Sequence, residues 1–365
     1  MKTKFGITLV FVVLLLSFSL PAYAANGEPP WQIQPYLRLW GLDLSFNYQG
    51  WQLFNQVDTN LWISLGGGTE TIGFYRNNDG TSYTPPPGGT DEGAFNRTNF
   101  LWTLGFSQGL IYDKARQRNL LELIAYYRSS NENYDEFNGV RAKIFDSTFP
   151  DKYGILQNSA LVGIIYKGIS LDPDTQVRQG LYAEASYELA PKSLNEIAGF
   201  ARLNTTAIAF LPLVENKTFC LFLGDRFMYD TLDGAYVPIN ARCSFGGASV
   251  FPGIYTMGLG SAVRGVNSGR FDGYEKLANN LDLRMTFPCL IESGWLIPGA
   301  IIYWDLGYTD NLTKNLELNK VYSSAGLSLF AHLKILLVEL DLGVSYDYFI
   351  NENRPTLNIL AYLQY

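Results

Sequence analysis

Asn280-Leu281-Asp282-Leu283-Arg284-Met285-Thr286-Phe287 decides the fold. Its odd positions are apolar and its even positions are polar or charged. Successive side chains on a strand point to opposite faces, so this segment has one greasy face and one charged face. The alternation returns four times before the end of the chain. Ala300, Ile302, Trp304 and Leu306 stand against Tyr303, Asp305 and Gly307. Ala325, Leu327, Leu329, Ala331 and Leu333 stand against Ser324, Ser328 and His332. Val338, Leu340, Leu342, Val344 and Tyr346 oppose Glu339, Asp341, Ser345 and Asp347. Finally Leu357, Ile359, Ala361, Leu363 and Tyr365 oppose Thr356, Asn358, Tyr362 and Gln364.

A soluble β-sandwich alternates too, with its polar face in water. Two features favour a sheet in lipid. Each segment runs to roughly ten residues, the length of a tilted membrane-spanning strand. The chain also ends on an outward aromatic, and Leu363 with Tyr365 reads as a C-terminal assembly signal at an interfacial girdle. An open sheet would leave unpaired backbone groups in hydrocarbon, so the sheet is expected to close. The expected fold is therefore all-β, a transmembrane antiparallel β-barrel.

Composition agrees. The chain is 15% aromatic, with 24 Tyr and 23 Phe, and only 17% charged, where soluble domains carry about 25%. After the N-terminal segment, no stretch approaches the roughly 18 uninterrupted apolar residues of a spanning helix. At the N-terminus, Lys2 and Lys4 precede an apolar run from Phe5 to Leu20, and Ala22-Tyr23-Ala24 follows as a cleavage box. Residues 1–24 are thus expected to be a signal peptide for the general secretory pathway. Residues 25–365 are expected to be one barrel domain in the outer membrane of a Gram-negative cell, with outer-membrane lipid as its surroundings. Removing Lys2 and Lys4 takes the net charge from −7 to −9. Basic residues are scattered, which argues against nucleic-acid binding.

Upstream the same patterning marks strands at Tyr36–Phe46, Asn60–Tyr75, Asn99–Gly109, Leu120–Arg128, Ser159–Lys167, Gly180–Leu189, Ile197–Leu211 and Thr218–Tyr229. With the five C-terminal segments these make thirteen, and single-chain bacterial barrels have even counts, so one hairpin is missing from this set. Asn77–Gly93, Ser129–Gly154 and Thr231–Lys276 read as long extracellular loops. Pro288–Gly294 and Lys334–Leu336 read as periplasmic turns.

Catalytic chemistry has little to work with. The single histidine, His332, faces inward near a turn, where a structural role is the simpler reading. One histidine and three dispersed cysteines (Cys220, Cys243, Cys289) make no credible metal cluster. No disulfide is assigned, no cofactor is expected, and no enzyme is expected.

Inside the longest late loop lies Gly258-Leu259-Gly260-Ser261-Ala262-Val263-Arg264-Gly265-Val266. Asp282 follows 18 residues after Arg264, and Asp305 of Asp305-Leu306-Gly307 follows 41 residues after it, both on inward faces. Three strands and an aromatic terminus complete the arrangement. From about Gly246 to Tyr365 this resembles the C-terminal barrel of the bacterial surface antigen superfamily, which includes the assembly factors BamA and TamA and the two-partner secretion transporters. The resemblance implies sixteen strands and a sixth extracellular loop folded into the lumen, its tip formed by Val263, Arg264 and Gly265. It makes Asp282 and Asp305 the partners of Arg264, with Arg284 and Gly307 beside them. Val266 stands where the family places an aromatic. The stretch between Ala25 and the first strand is too short for the family's periplasmic polypeptide-transport domains, so their absence from this chain is expected.

The arginine has a physical reason independent of the family. A cation entering a narrow, partly desolvated lumen must be paired, since an orphaned member of a buried ion pair costs about 3–5 kcal/mol. Guanidinium can serve two carboxylates at once through its rigid fork. The functional expectation is outer-membrane biogenesis, by protein insertion or translocation, with client proteins or a separate periplasmic partner. The alternative is a passive pore or a structural outer-membrane protein.

Overall fold

The computed structural model describes residues 31–38, 41–54, 57–73, 94–116, 118–139, 142–146, 149–248, 263–265, 273–288, 295–310, 321–335 and 338–364. The expected signal peptide, Val266, Cys289 and Tyr365 lie outside these residues. The strands are β1 (Trp31–Arg38), β2 (Gly41–Phe54), β3 (Val57–Gly73), β4 (Ala94–Asp113), β5 (Arg118–Glu136), β6 (Gly154–Lys167), β7 (Ser170–Leu171), β8 (Arg178–Ala190), β9 (Gly199–Glu215) and β10 (Cys220–Tyr236). They continue with β11 (Glu275–Thr286), β12 (Leu296–Asp310), β13 (Val321–Ile335), β14 (Val338–Phe349) and β15 (Arg354–Gln364). One short helix, α1 (Ile239–Arg242), follows β10. Among the described residues no helix is long and apolar enough to cross a membrane.

All strands lie in antiparallel ladders that follow chain order, with β7 attached only to β8. The path from β1 to β15 holds fourteen strands, where sixteen were expected, and among the described residues no ladder joins its two ends. The missing hairpin lies at the start. Tyr36–Phe46, expected as one strand, covers the end of β1 and the start of β2, which pair with each other from Trp31↔Tyr48 to Arg38↔Gly41. Leu39 and Trp40 between them carry none of the Gly, Pro, Asn or Asp that advertise a turn, so the apolar pattern runs on through.

The two faces sort as the alternation predicts. Ile302, Trp304, Leu329, Tyr346 and Ile359 are exposed, at 49%, 51%, 52%, 51% and 83%. Their neighbours Asp282, Arg284, Asp305, Ser328, His332, Asp341, Ser345 and Asp347 are buried. An apolar outer face around a polar inner one inverts a soluble domain and suits a sheet whose exterior meets lipid. His332 Nδ1 lies 2.9 Å from the Asp341 carboxylate, its direct partner in the β13–β14 register.

The sheet curls around a filled interior. Trp62 on β3 packs against a buried cluster that draws Ile124 from β5, Leu161 and Ile165 from β6, Tyr182 from β8, Ile208 and Phe210 from β9, and Phe222 from β10. The long connections β3–β4, β5–β6, β10–β11 and β12–β13 all open at one end of the strands, here the long-loop end. The apolar cluster sits toward the other, short-turn end.

Candidate functional site

The tip of the β10–β11 loop lies inside the sheet. Val263 packs with Met228, Ala278 and Phe349, from β10, β11 and β14, and is buried at 1% exposure. Arg264 is equally buried, at 1%. Its Nε donates to Asp305 Oδ2 at 2.8 Å and its Nη2 to Asp305 Oδ1 at 2.5 Å, a two-point fork on one carboxylate. The same Nη2 reaches Asp282 Oδ1 at 2.5 Å, and the Arg264 backbone N–H donates to Asp305 Oδ2 at 2.9 Å. The guanidinium also lies flat over Tyr303, 3.5 Å from the ring centroid, where the ring's negative face attracts a cation.

Each partner is placed by strand register. Asp282 on β11 lies opposite Tyr303 on β12, and Asn280 opposite Asp305, so the two acids face the lumen on adjacent strands. Arg284, two residues past Asp282 on the same face, donates to Asp282 Oδ2 through Nε at 3.0 Å and Nη2 at 2.6 Å. Asp282 is thus shared between two guanidiniums. Tyr303 in turn donates its hydroxyl to Asp347, which also accepts from Asn358 Nδ2 at 2.6 Å. Gly265 has φ +78°, and a Cβ there would lie 3.2 Å from the Asp347 Cβ, so the backbone needs glycine on two counts. Gly307 is buried opposite Ala278 and Tyr322 and, having no side chain, adds space rather than a contact. Leu363 pairs with Leu340 at the end of β15.

A second anchor, which the sequence analysis does not contain, holds the first half of the same loop. Glu188 on β8 takes Arg128 Nη2 at 2.6 Å, Ser159 Oγ at 2.6 Å and Arg202 Nη1 at 3.4 Å. Arg202 Nε lies 3.4 Å from Asp230 Oδ2, and Lys276 Nζ 3.2 Å from the same oxygen. Lys276 also donates to the carbonyls of Ala241, at 3.0 Å, and Ser244, and Arg202 Nη2 donates to the Ala241 carbonyl. Asp230 accepts from the Gly246 N–H at 3.1 Å, Glu184 accepts from the Ala248 N–H, and Tyr126 donates to the Gly247 carbonyl at 3.0 Å. Glu188, Arg202, Asp230 and Lys276 are all buried.

The signal for this anchor is in the sequence. Tyr182-Ala183-Glu184-Ala185-Ser186-Tyr187-Glu188 alternates, and its acids are inward by the rule applied to residues 280–287. No short spacing joins them to Arg202, Asp230 and Lys276, which lie on other strands.

Asp151, in the β5–β6 connection, closes a third contact. Its carboxylate accepts from the Tyr236 hydroxyl and from the Ile239 N–H at 2.7 Å, tying the start of α1 to the neighbouring loop. Burial raises the Asp151 carboxyl above its ordinary range, against the lowering effect of those two hydrogen bonds.

Among solved structures, BamA from Haemophilus ducreyi lacking POTRA domains 1–3 aligns with a TM-score of 0.53 at 12% identity, over 92% of this chain and 63% of that one. The fold is similar to that of the BamA barrel. This chain spans 63% of that structure's length. CdiB from Acinetobacter baumannii aligns at a TM-score of 0.46 and 8% identity, over 88% of this chain and 49% of that one. No protein-family model and no curated protein matches the sequence.

Proposed function

We propose that this chain is an outer-membrane barrel of the surface-antigen kind that acts in outer-membrane biogenesis, inserting or translocating other proteins with a separate periplasmic partner. In this reading the long-loop end faces the cell exterior and the short-turn end the periplasm. Arg264 is the pin that holds the β10–β11 loop as a plug, and Asp282 and Asp305 are its sockets. The observation that carries the reading is the Arg264 clamp, set in a fold similar to the BamA barrel. The reading needs no catalytic group and no cofactor.

A passive pore is the rival. The filled interior weighs against it, because loop backbone and apolar side chains occupy the lumen beside β5–β11. Purified protein in liposomes should accelerate the folding of an unrelated outer-membrane barrel added from the periplasmic side. Its depletion from cells should lower many outer-membrane proteins together. Unchanged folding rates, with loss of one solute's uptake on depletion, would assign the chain to transport instead.

A further inference from the structure

Between β6 and β8 the wall does something a simple periplasmic turn does not. The β6–β8 ladder stops at Lys167↔Tyr182, while β7 pairs with the start of β8 through Ser170↔Gln179 and Leu171↔Arg178. Residues 169–179 therefore form a small hairpin that keeps the register of the wall ladder, joined to it by the Gly168 N–H donating to the Leu181 carbonyl at 2.8 Å. The interruption falls at two glycines placed diagonally across the ladder. Gly180 has φ +108°, and a Cβ there would sit 2.3 Å from the Gly168 carbonyl oxygen. A Cβ on Gly168 would sit 2.7 Å from that of Leu181. Only glycines can approach this closely, and together they bend the hairpin off the wall.

The hairpin goes inward. Ile169 and Val177 are buried in the apolar cluster with Phe222 and Cys220. Its tip is a compact turn: Asp172 Oδ1 accepts from the N–H groups of Asp174 at 2.8 Å and Thr175 at 3.2 Å. That tip reaches strands well beyond its neighbours. Thr286 Oγ1 on β11 donates to the Thr175 carbonyl at 2.7 Å, and Lys334 Nζ on β13 donates to the Pro173 carbonyl. At its base, Arg118 Nη2 on β5 donates to the Ile169 carbonyl at 2.5 Å.

We propose that this hairpin is a second plug, which closes the periplasmic mouth beneath the β10–β11 loop and swings open on the Gly168–Gly180 hinge. From the far wall, Thr286 and Lys334 reach its tip through backbone carbonyls. Hydrogen bonds to such neutral acceptors are replaceable by water, as a gate requires. The proposal does not depend on whether the barrel inserts proteins.

Cys220 is a built-in reporter, because it is fully buried in the cluster that the hairpin covers. In protein with Cys243 and Cys289 replaced by serine, a polar maleimide added from the periplasmic side should label Cys220 slowly. The pair Lys334→Met and Thr286→Val should speed labelling several-fold, and Arg264→Ala should not. Replacing residues 169–179 by a short glycine-serine turn should speed it further. In an Arg264→Ala background that replacement should also convert a closed barrel into a steadily conducting one. The idea is overturned if the hairpin-less protein, shown folded by its heat-modifiable gel mobility, labels no faster than the parent. It is equally overturned if the parent already labels at the rate of an exposed thiol.

Discussion

The loop tip at Arg264 and the hairpin tip at Pro173 enter the same lumen from opposite ends, yet what holds them differs in kind. Arg264 is held by two buried carboxylates and an aromatic face, and it shares one of those carboxylates, Asp282, with Arg284. The hairpin is held across the mouth by a threonine and a lysine donating to peptide carbonyls. Buried ionic partners penalise separation heavily, because each charge left behind is desolvated and alone. Neutral acceptors lose little when water replaces the donor. One end of the barrel is thus built to stay shut and the other to yield.

The sharpest way to break this contrast is Arg264→Ala. It strands Asp305 in a buried site and leaves Asp282 to Arg284 alone, and the expected loss is about 3–5 kcal/mol, read as a lower unfolding midpoint in detergent. Arg264→Lys keeps the charge but not the fork, so it should fall between wild type and alanine. Exchanging the charges at 264 and 305 should recover part of the loss. An alanine variant as stable as wild type would reduce the clamp to a crystal-like contact without energetic meaning.

The next effect belongs to the second anchor. Lys276→Met removes a donor to Ala241 and Ser244 and takes one of the two nearby cations from Asp230, which keeps Arg202 and the Gly246 N–H. About 1–3 kcal/mol is expected, as for a buried acceptor that loses its partner. Limited proteolysis should find residues 239–248 newly cleavable while Val263–Gly265 stay protected. If both regions loosen together, the loop is one cooperative unit and the two anchors are not separable.

At the yielding end, Lys334→Met and Thr286→Val should each cost roughly 0.5–1.5 kcal/mol. The unfolding midpoint should therefore barely move, although the mouth opens. Stability and accessibility ought to part company at this end and travel together at Arg264. A large fall in midpoint from either periplasmic substitution would erase the distinction between lock and latch.

These regions were unequally legible from sequence for a physical reason. Strand alternation is a local signal, and residues 280–287 or 356–365 display it within ten positions, so faces and inward acids could be read directly. The Arg264 spacing was legible because both its partners fall on the next two strands. The anchor of Glu188, Arg202, Asp230 and Lys276 joins four strands over nearly ninety residues, and only the register of the sheet brings it together. The hairpin at 169–179 was hidden for another reason. Its inward bend depends on the close diagonal approach of Gly168 and Gly180, and a glycine in a connection announces a turn without announcing its direction.

The smallest expected effect concerns pH and tests whether the long-loop end is uniformly rigid. Burial holds the Asp151 carboxyl above its ordinary range, so folding favours its protonated form. A group whose folded value is raised contributes stability that is fully present below its unfolded value, near 3.9 for aspartate, and is lost as pH rises through the folded value. The closed arrangement that buries Asp151 should consequently become more populated as pH falls from neutrality into that window, desolvation outweighing the preference of its two hydrogen bonds for the ionised form. The Ile239 amide, which donates to Asp151 Oδ2, is the natural probe. Its hydrogen-exchange protection, corrected for intrinsic rate, should rise on mild acidification, and Asp151→Asn should flatten the dependence. Protection that falls instead would mean the ionised carboxylate makes the better acceptor for those two donors, so that hydrogen bonding outweighs desolvation at this site.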